Sequence, residues 1–160
     1  MNMTVTYLHS IDIEYHGQTL ITDIDDCLIH TTQSIKDCDL DKRSFWFDDG
    51  IYSLYKDEVM SNAEFTAWGY EFLNHSTKAT FNEVILLTAA GDRLAAIKKK
   101  FFFNDSKVLD SVKVIEGCAD TKKIEFLNDF TDPCIYVDDK PQVVYGIKNP
   151  LVKSILFKLK

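Results

Sequence analysis

The feature that most constrains this chain is the stretch 19–28, TLITDIDDCL, where an apolar run ends in three carboxylates within four positions. Leu20 and Ile21 suit a buried strand, whereas Asp23, Asp25 and Asp26 belong to a residue type rarely buried without a partner. Burial and charge meet at one point, and something must compensate the charge. A bound cation does so economically: oxygen ligands at a strand end suit Mg²⁺, which usually takes only one or two protein carboxylates together with water and substrate phosphate. The alternative is an acidic turn after an edge strand.

A length of 160 residues is one domain's worth, enough to bury a core without staples, so a single domain over 1–160 is expected. The net charge of -7 and a pI near 5.0 argue against a general affinity for nucleic acid or anionic membrane, while leaving room for a local basic groove. Cys27, Cys38, Cys118 and Cys134 are scattered, with no CxxC pair and no His at metal-ligand spacing, which disfavours a disulfide framework or a zinc site. Reduced thiols in a cytoplasm are expected. The N-terminal residues 1–17 lack the basic-then-apolar order of an export signal, and no apolar run approaches the roughly 20 residues of a membrane span.

Along the chain, Val5, Tyr7, Ile11, Ile13 and Tyr15 read as short strand-like pieces, and a turn at His16-Gly17-Gln18 leads into the apolar stretch. Residues 31–42 are a polar, acidic loop whose Asp37, Asp39 and Asp41, with Asp48 beyond, superficially copy a calcium loop. Lys42 stands where that loop needs Gly, and Asp48 stands where it needs Glu, so a solvated acidic loop is the better reading. Residues 43–55 carry two aromatic and β-branched runs around Asp48-Asp49-Gly50, a hairpin signal. Ser61 and Glu64 form a capping-box pattern for a helix bearing Phe65, Trp68, Phe72 and Leu73 and ending near Asn74.

A buried strand is expected at 84–87, ending in Thr88, with a helix after it carrying Leu94, Ile97 and Phe101 inward and Lys98, Lys99 and Lys100 near its solvated end. Further strands are expected at 112–115, 134–137 and 154–157. Asp120 or Thr121 caps a helix whose Ile124, Leu127 and Phe130 face the core, and Pro141 opens another that runs to about Ile147. Strands alternating with helices predict an α/β domain: a three-layer Rossmann-like sandwich around a mainly parallel five-stranded sheet, with a small β-hairpin flap or mini-cap inserted at 31–60.

Three of these strands end in polar residues suited to phosphate or metal chemistry, namely Asp23 to Asp26, Thr88, and Asp138 with Asp139. Ligands of open α/β sheets bind outside the carboxyl ends of the strands, so the clusters converge if their strands are neighbours. Lys122 or Lys123 could supply the cation that such carboxylates and an anionic substrate need. In this order the motifs resemble those of the haloacid dehalogenase (HAD) superfamily of phosphohydrolases. Residues 23–28, DIDDCL, are similar to its first motif, DxDx(T/V)L, with Cys27 where Thr is commonest; Thr88 corresponds to the second motif, Lys123 to the third, and Asp138-Asp139 to the fourth. Lys123 is preferred to Lys122 because Ile124 and Leu127 follow it at the offsets usual in that family.

The resemblance implies a Mg²⁺-dependent phosphatase. Asp23 would be the nucleophile and Asp25 the general acid and base. Thr88 and Lys123 would bind the phosphoryl group, and the metal would be held by Asp23, the backbone carbonyl of Asp25 and Asp138, with Asp139 orienting its water shell. Asp26 is left as a loop-shaping residue. The region 29–83 holds only a loop, the aromatic hairpin and one helix, so a full cap domain is missing, which implies either a macromolecular substrate or a cap supplied by a neighbouring subunit in a homo-oligomer, as in small sugar-acid phosphatases. Phe45, Trp46, Phe47, Tyr52 and Tyr55 could stack on a base or pack at an interface. Residues 138–144, DDKPQVV, are similar to the phosphatase half of bacteriophage polynucleotide kinases. The implied substrate is therefore a phosphomonoester, with a nucleotide or polynucleotide end as the leading class. A non-catalytic module binding a phosphorylated ligand or protein is the alternative, and the presence of both Asp23 and Asp25 favours the enzyme.

Overall fold

The computed structural model describes residues 2–5, 17–31, 63–74, 81–89, 112–115 and 117–158. Its strands are β1 (Asn2–Val5), β2 (Thr19–Asp23), β3 (Ile29–Thr31), β4 (Ala63–Phe65), β5 (Glu83–Leu87), β6 (Val112–Ile115), β7 (Cys134–Asp138) and β8 (Val152–Phe157). Its helices are α1 (Ala67–Asn74), α2 (Asp120–Asn128) and α3 (Pro141–Gly146). The 43–55 hairpin, the acidic loop with Asp37, Asp39, Asp41 and Asp48, the 90–101 helix and all of the 31–60 insert beyond Thr31 lie outside the described residues.

The five strands expected from the apolar pattern form one sheet in the order β8-β7-β2-β5-β6, and β1 extends it beside β8. Every pairing in this sheet is parallel. Parallel neighbours need crossover connections, and the strand order shows where these change direction. From β2 the chain moves outward through β5 to β6, then returns to the other side of β2 for β7 and β8. The boundary between β2 and β7 is thus the topological switch point, the place where open α/β sheets leave a crevice.

Alternation within the strands splits the core between two faces of the sheet. Leu20, Val84, Leu86, Ile135, Val137, Ile155 and Phe157 join one cluster with Trp68 and Phe72 of α1. Ile21, Ile85, Leu87, Tyr136 and Val152 join the other with Leu127 of α2 and Val143 of α3. Helices therefore cover both faces, giving the three layers. Every residue of β2 and of β7 is buried, as expected of strands covered on both sides.

Two expected helix starts differ from the structure. The capping-box pattern expected Glu64 inside the first turn of a helix, but Ala63–Phe65 is a strand, antiparallel to β3, with Glu64 opposite His30, and Ser61 lies outside the described residues. The helix begins at Ala67, and its cap is Thr66, whose Oγ1 accepts the Gly69 amide at 3.0 Å. The same hydroxyl reaches the carbonyls of Cys27 and Leu28, and those tertiary contacts outweigh a local capping pattern. In α2 the N-cap is Ala119, without a side-chain cap bond, rather than Asp120 or Thr121. The Asp120 carboxylate has a stronger partner in the Lys140 ammonium, 2.9 Å away. Pro141 opens α3 as expected.

Candidate active site

The register explains the site. Thr22 of β2 pairs with Val137 of β7, so Asp23 and Asp138, one residue further on, leave the sheet side by side. On the other flank Asp23 pairs with Leu87, which places Thr88 next along that edge of the crevice. Beyond β2 the chain turns tightly: the amides of Cys27, Leu28 and Ile29 all point to the Ile24 carbonyl, and Asp26 takes a positive φ of 56°. Asp is one of the few residue types that tolerates that conformation. The Asp26 carboxylate also pairs with His30 at 2.8 Å. Asp26 therefore shapes the turn, while the exposed side chain of Asp25 lies on it.

The turn is fastened from both sides. The Cys27 thiol lies 3.7 Å from Thr22 Oγ1 and donates to the Val137 carbonyl at 3.7 Å, tying the turn to β7. Burial, and then the charges of Asp23 and Asp138, push that thiol's pKa well up, so it stays protonated and acts as a donor. Trp68 Nε1 donates to Thr22 Oγ1 at 3.1 Å, and Thr22 donates onward to the Asp23 carbonyl at 3.0 Å. The aromatic face of α1 thereby packs in the core and anchors the strand end that carries Asp23.

Asp23, Asp138 and Asp139 each offer a carboxylate oxygen, and these atoms lie within 4.8 Å of one another. Lys123, projecting from α2 and 2% exposed, places its ammonium 2.6 Å from Asp23 Oδ1 and 3.8 Å from Asp138 Oδ2. Lys122 is exposed, so burial selects Lys123. Burial opposes the charge on Lys123, but Asp23 and Asp138 outweigh it and raise its pKa. Burial, followed by the charge of Asp138, pushes the Asp23 carboxyl well above the usual range, with Lys123 pulling the other way. Asp139 is pushed up to about 6, chiefly by burial.

With all three carboxylates ionised, a single ammonium leaves an excess of two negative charges in a mostly dry site. Among the described residues, Asp139 Oδ1 is buried with no hydrogen-bond partner. Both observations fit a divalent cation. An all-carboxylate donor set suits a hard ion such as Mg²⁺ over a thiophilic one. Asp25 does not contribute its side chain to the carboxylate trio. Thr88 is buried at the end of β5, its amide bonded to Ile115 and its carbonyl to Cys118.

Two contacts here escape a motif-based reading. Tyr136, on the same face of β7 as Asp138, donates its hydroxyl to Asp138 Oδ2, and the Lys140 amide donates to Oδ1 at 3.1 Å. Burial, then Asp138, raises the Tyr136 pKa well above the usual phenol range, so the hydroxyl is a donor. The Lys140 side chain reaches back to Asp120, joining the start of α2 to the turn after β7, and Gln142 reaches the other Asp120 oxygen at 3.4 Å. The only sequence sign of the first contact is the two-residue spacing that puts Tyr136 and Asp138 on one face of a strand.

The chain matches no protein-family model, no curated protein and no solved structure. Cys27, Cys118 and Cys134 are free, buried thiols. Among the described residues, no helix is long and apolar enough to cross a membrane.

Proposed function

We propose that the chain is a Mg²⁺-dependent phosphohydrolase of the HAD type, acting on a phosphomonoester through an aspartyl-phosphate. The observation that carries this reading is the meeting, at the β2/β7 switch point, of three carboxylates and a buried lysine drawn from positions 23, 123, 138 and 139. A hydrogen-bonding core network leaves such an arrangement unexplained, because one of its buried oxygens lacks a donor and its carboxylates, once ionised, outnumber the single ammonium.

In this reading an Asp23 oxygen attacks phosphorus, a new O–P bond forms, and the bond to the leaving oxygen breaks. Asp25, exposed on the turn two residues on, gives that oxygen a proton. Water then attacks the aspartyl-phosphate, Asp25 takes its proton, and inorganic phosphate leaves with Asp23 restored. Lys123 and Thr88 bind the phosphoryl oxygens, Lys123 sharing its charge between Asp23 and the incoming group. Bound Mg²⁺ would be held by Asp23, Asp138 and Asp139 together with the Asp25 carbonyl, and would neutralise the excess charge that otherwise repels phosphate.

The substrate class proposed is a nucleotide or polynucleotide end, supported by the 138–144 segment. The test is turnover of an aryl phosphate with and without Mg²⁺, followed by nucleotides, 3′- and 5′-phosphorylated oligonucleotides and sugar-acid phosphates. Asp23→Asn is expected to abolish turnover while leaving the melting profile cooperative. Lack of turnover by the wild type across the panel, with Mg²⁺ bound, overturns the phosphatase reading in favour of a phospholigand-binding module.

A further inference from the structure

Asp138 is unusual among the three clustered carboxylates in having a donor fixed on each oxygen. The Tyr136 hydroxyl and the Lys123 ammonium both face Oδ2, and the Lys140 amide donates to Oδ1. Tyr136 and Asp138 are both wholly buried, so neither can turn to water. Tyr136 is held on one side by the β7 backbone, paired with β2 and β8, and on the other by the core cluster with Ile21, Leu127 and Val143. Each oxygen accepts one hydrogen bond, and Oδ2 also has the Lys123 ammonium 3.8 Å away, so Oδ1 is the less encumbered oxygen. It has one lone pair beyond the Lys140 amide.

We propose that Tyr136 is a positioning residue that holds Asp138 to a single ligating oxygen and thereby biases the site toward Mg²⁺ against Ca²⁺. The inference rests on the cation-binding reading above. Ca²⁺ takes six to eight oxygens and readily accepts both oxygens of a carboxylate, whereas Mg²⁺ demands a near-ideal octahedron of single-oxygen ligands. A carboxylate with a hydroxyl locked on one oxygen serves the second arrangement and resists the first. Outer partners of this kind orient a ligand and raise its affinity for the preferred ion, and their loss commonly weakens binding by roughly 10–100-fold.

The test is calorimetric titration of wild type and Tyr136→Phe with MgCl₂ and, separately, CaCl₂. The Phe variant keeps the ring in the core and removes only the hydroxyl. Mg²⁺ affinity is expected to fall by roughly tenfold while Ca²⁺ affinity holds or rises, so that the Mg²⁺/Ca²⁺ preference drops by at least that factor. A structural hydroxyl would lower the melting temperature and leave the preference unchanged, and an unchanged preference overturns the proposal. Should the Phe variant not fold, 3-fluorotyrosine placed at position 136 alone provides one ¹⁹F resonance. It is expected to shift on saturation with Mg²⁺, and a resonance that does not move overturns the proposal. A wild type that binds neither ion overturns the cation site itself, whereas a wild type that binds Mg²⁺ with the preference unaltered in the variant overturns only the role of Tyr136.

Discussion

At the residue scale, the site is a balance of buried charges, and Lys123 is its only cation among the described residues within ion-pair distance of Asp23. Lys123→Met replaces the ammonium with an apolar chain of similar length and leaves Asp23 and Asp138 facing each other uncompensated. Breaking a buried pair in this way costs about 3–5 kcal/mol, so the urea midpoint of the metal-free variant is expected to fall steeply. Mg²⁺ should raise that midpoint more in the variant than in the wild type, because the added cation then supplies charge that Lys123 no longer does. Equal Mg²⁺-induced increments in the two proteins would show that lysine and metal do not act on the same carboxylates. Lys122, exposed one position earlier, provides the control: its replacement by Met is expected to change stability by less than about 0.5 kcal/mol.

At the element scale, the start of α1 is what fixes the turn after Asp23. Thr66 caps the helix and binds the carbonyls of Cys27 and Leu28, so Thr66→Val, which keeps the shape and removes the hydroxyl, is expected to destabilise by about 1–2 kcal/mol in chemical denaturation. Gly69 makes the sharper prediction. In a helix Gly→Ala ordinarily stabilises by roughly 0.5–1 kcal/mol, but here a Cβ would run into the Leu28 carbonyl oxygen, and the obstacle is backbone. The sign reverses: Gly69→Ala is expected to destabilise by about 1–3 kcal/mol, the range for overpacking, and to lower kcat as the turn bearing Asp25 moves. A stabilised variant in a thermal melt would contradict this packing.

At the scale of the whole molecule, two buried faces enclose groups that burial keeps protonated. Cys134 is pushed up to about 12 by burial and by Asp132, and Cys27, Cys118 and Tyr136 are also raised, burial being the first cause in each. A raised folded-state pKa contributes stability that is fully present below the unfolded value, about 8.5 for a thiol, and is lost as pH climbs toward the folded value. At pH 10 Cys134 alone is expected to cost about 1–2 kcal/mol of stability relative to pH 7, and melting curves across that window should show it, with Cys134→Val recovering part of the alkaline loss. The same packing explains how much was legible beforehand. The strands 84–87 and 134–137 were readable because burial on both faces writes an uninterrupted apolar run, and Asp23 and Asp138 stood out because charge ending such a run requires a partner. The start of α1 was not readable, because Glu64 fits a capping box locally and only pairing with β3 makes residues 63–65 a strand. Asp120 looked like a cap until Lys140, twenty positions on, claimed its carboxylate. By itself the sequence determined which apolar runs are buried and which carboxylates need a counter-charge, since both follow from hydration free energies carried by each side chain. Only the tertiary structure decided that Lys123 rather than Lys122 answers Asp23, that Tyr136 holds Asp138, and that β2 and β7 are neighbours, because those facts depend on the strand order and register that bring residues a hundred positions apart within a few ångströms.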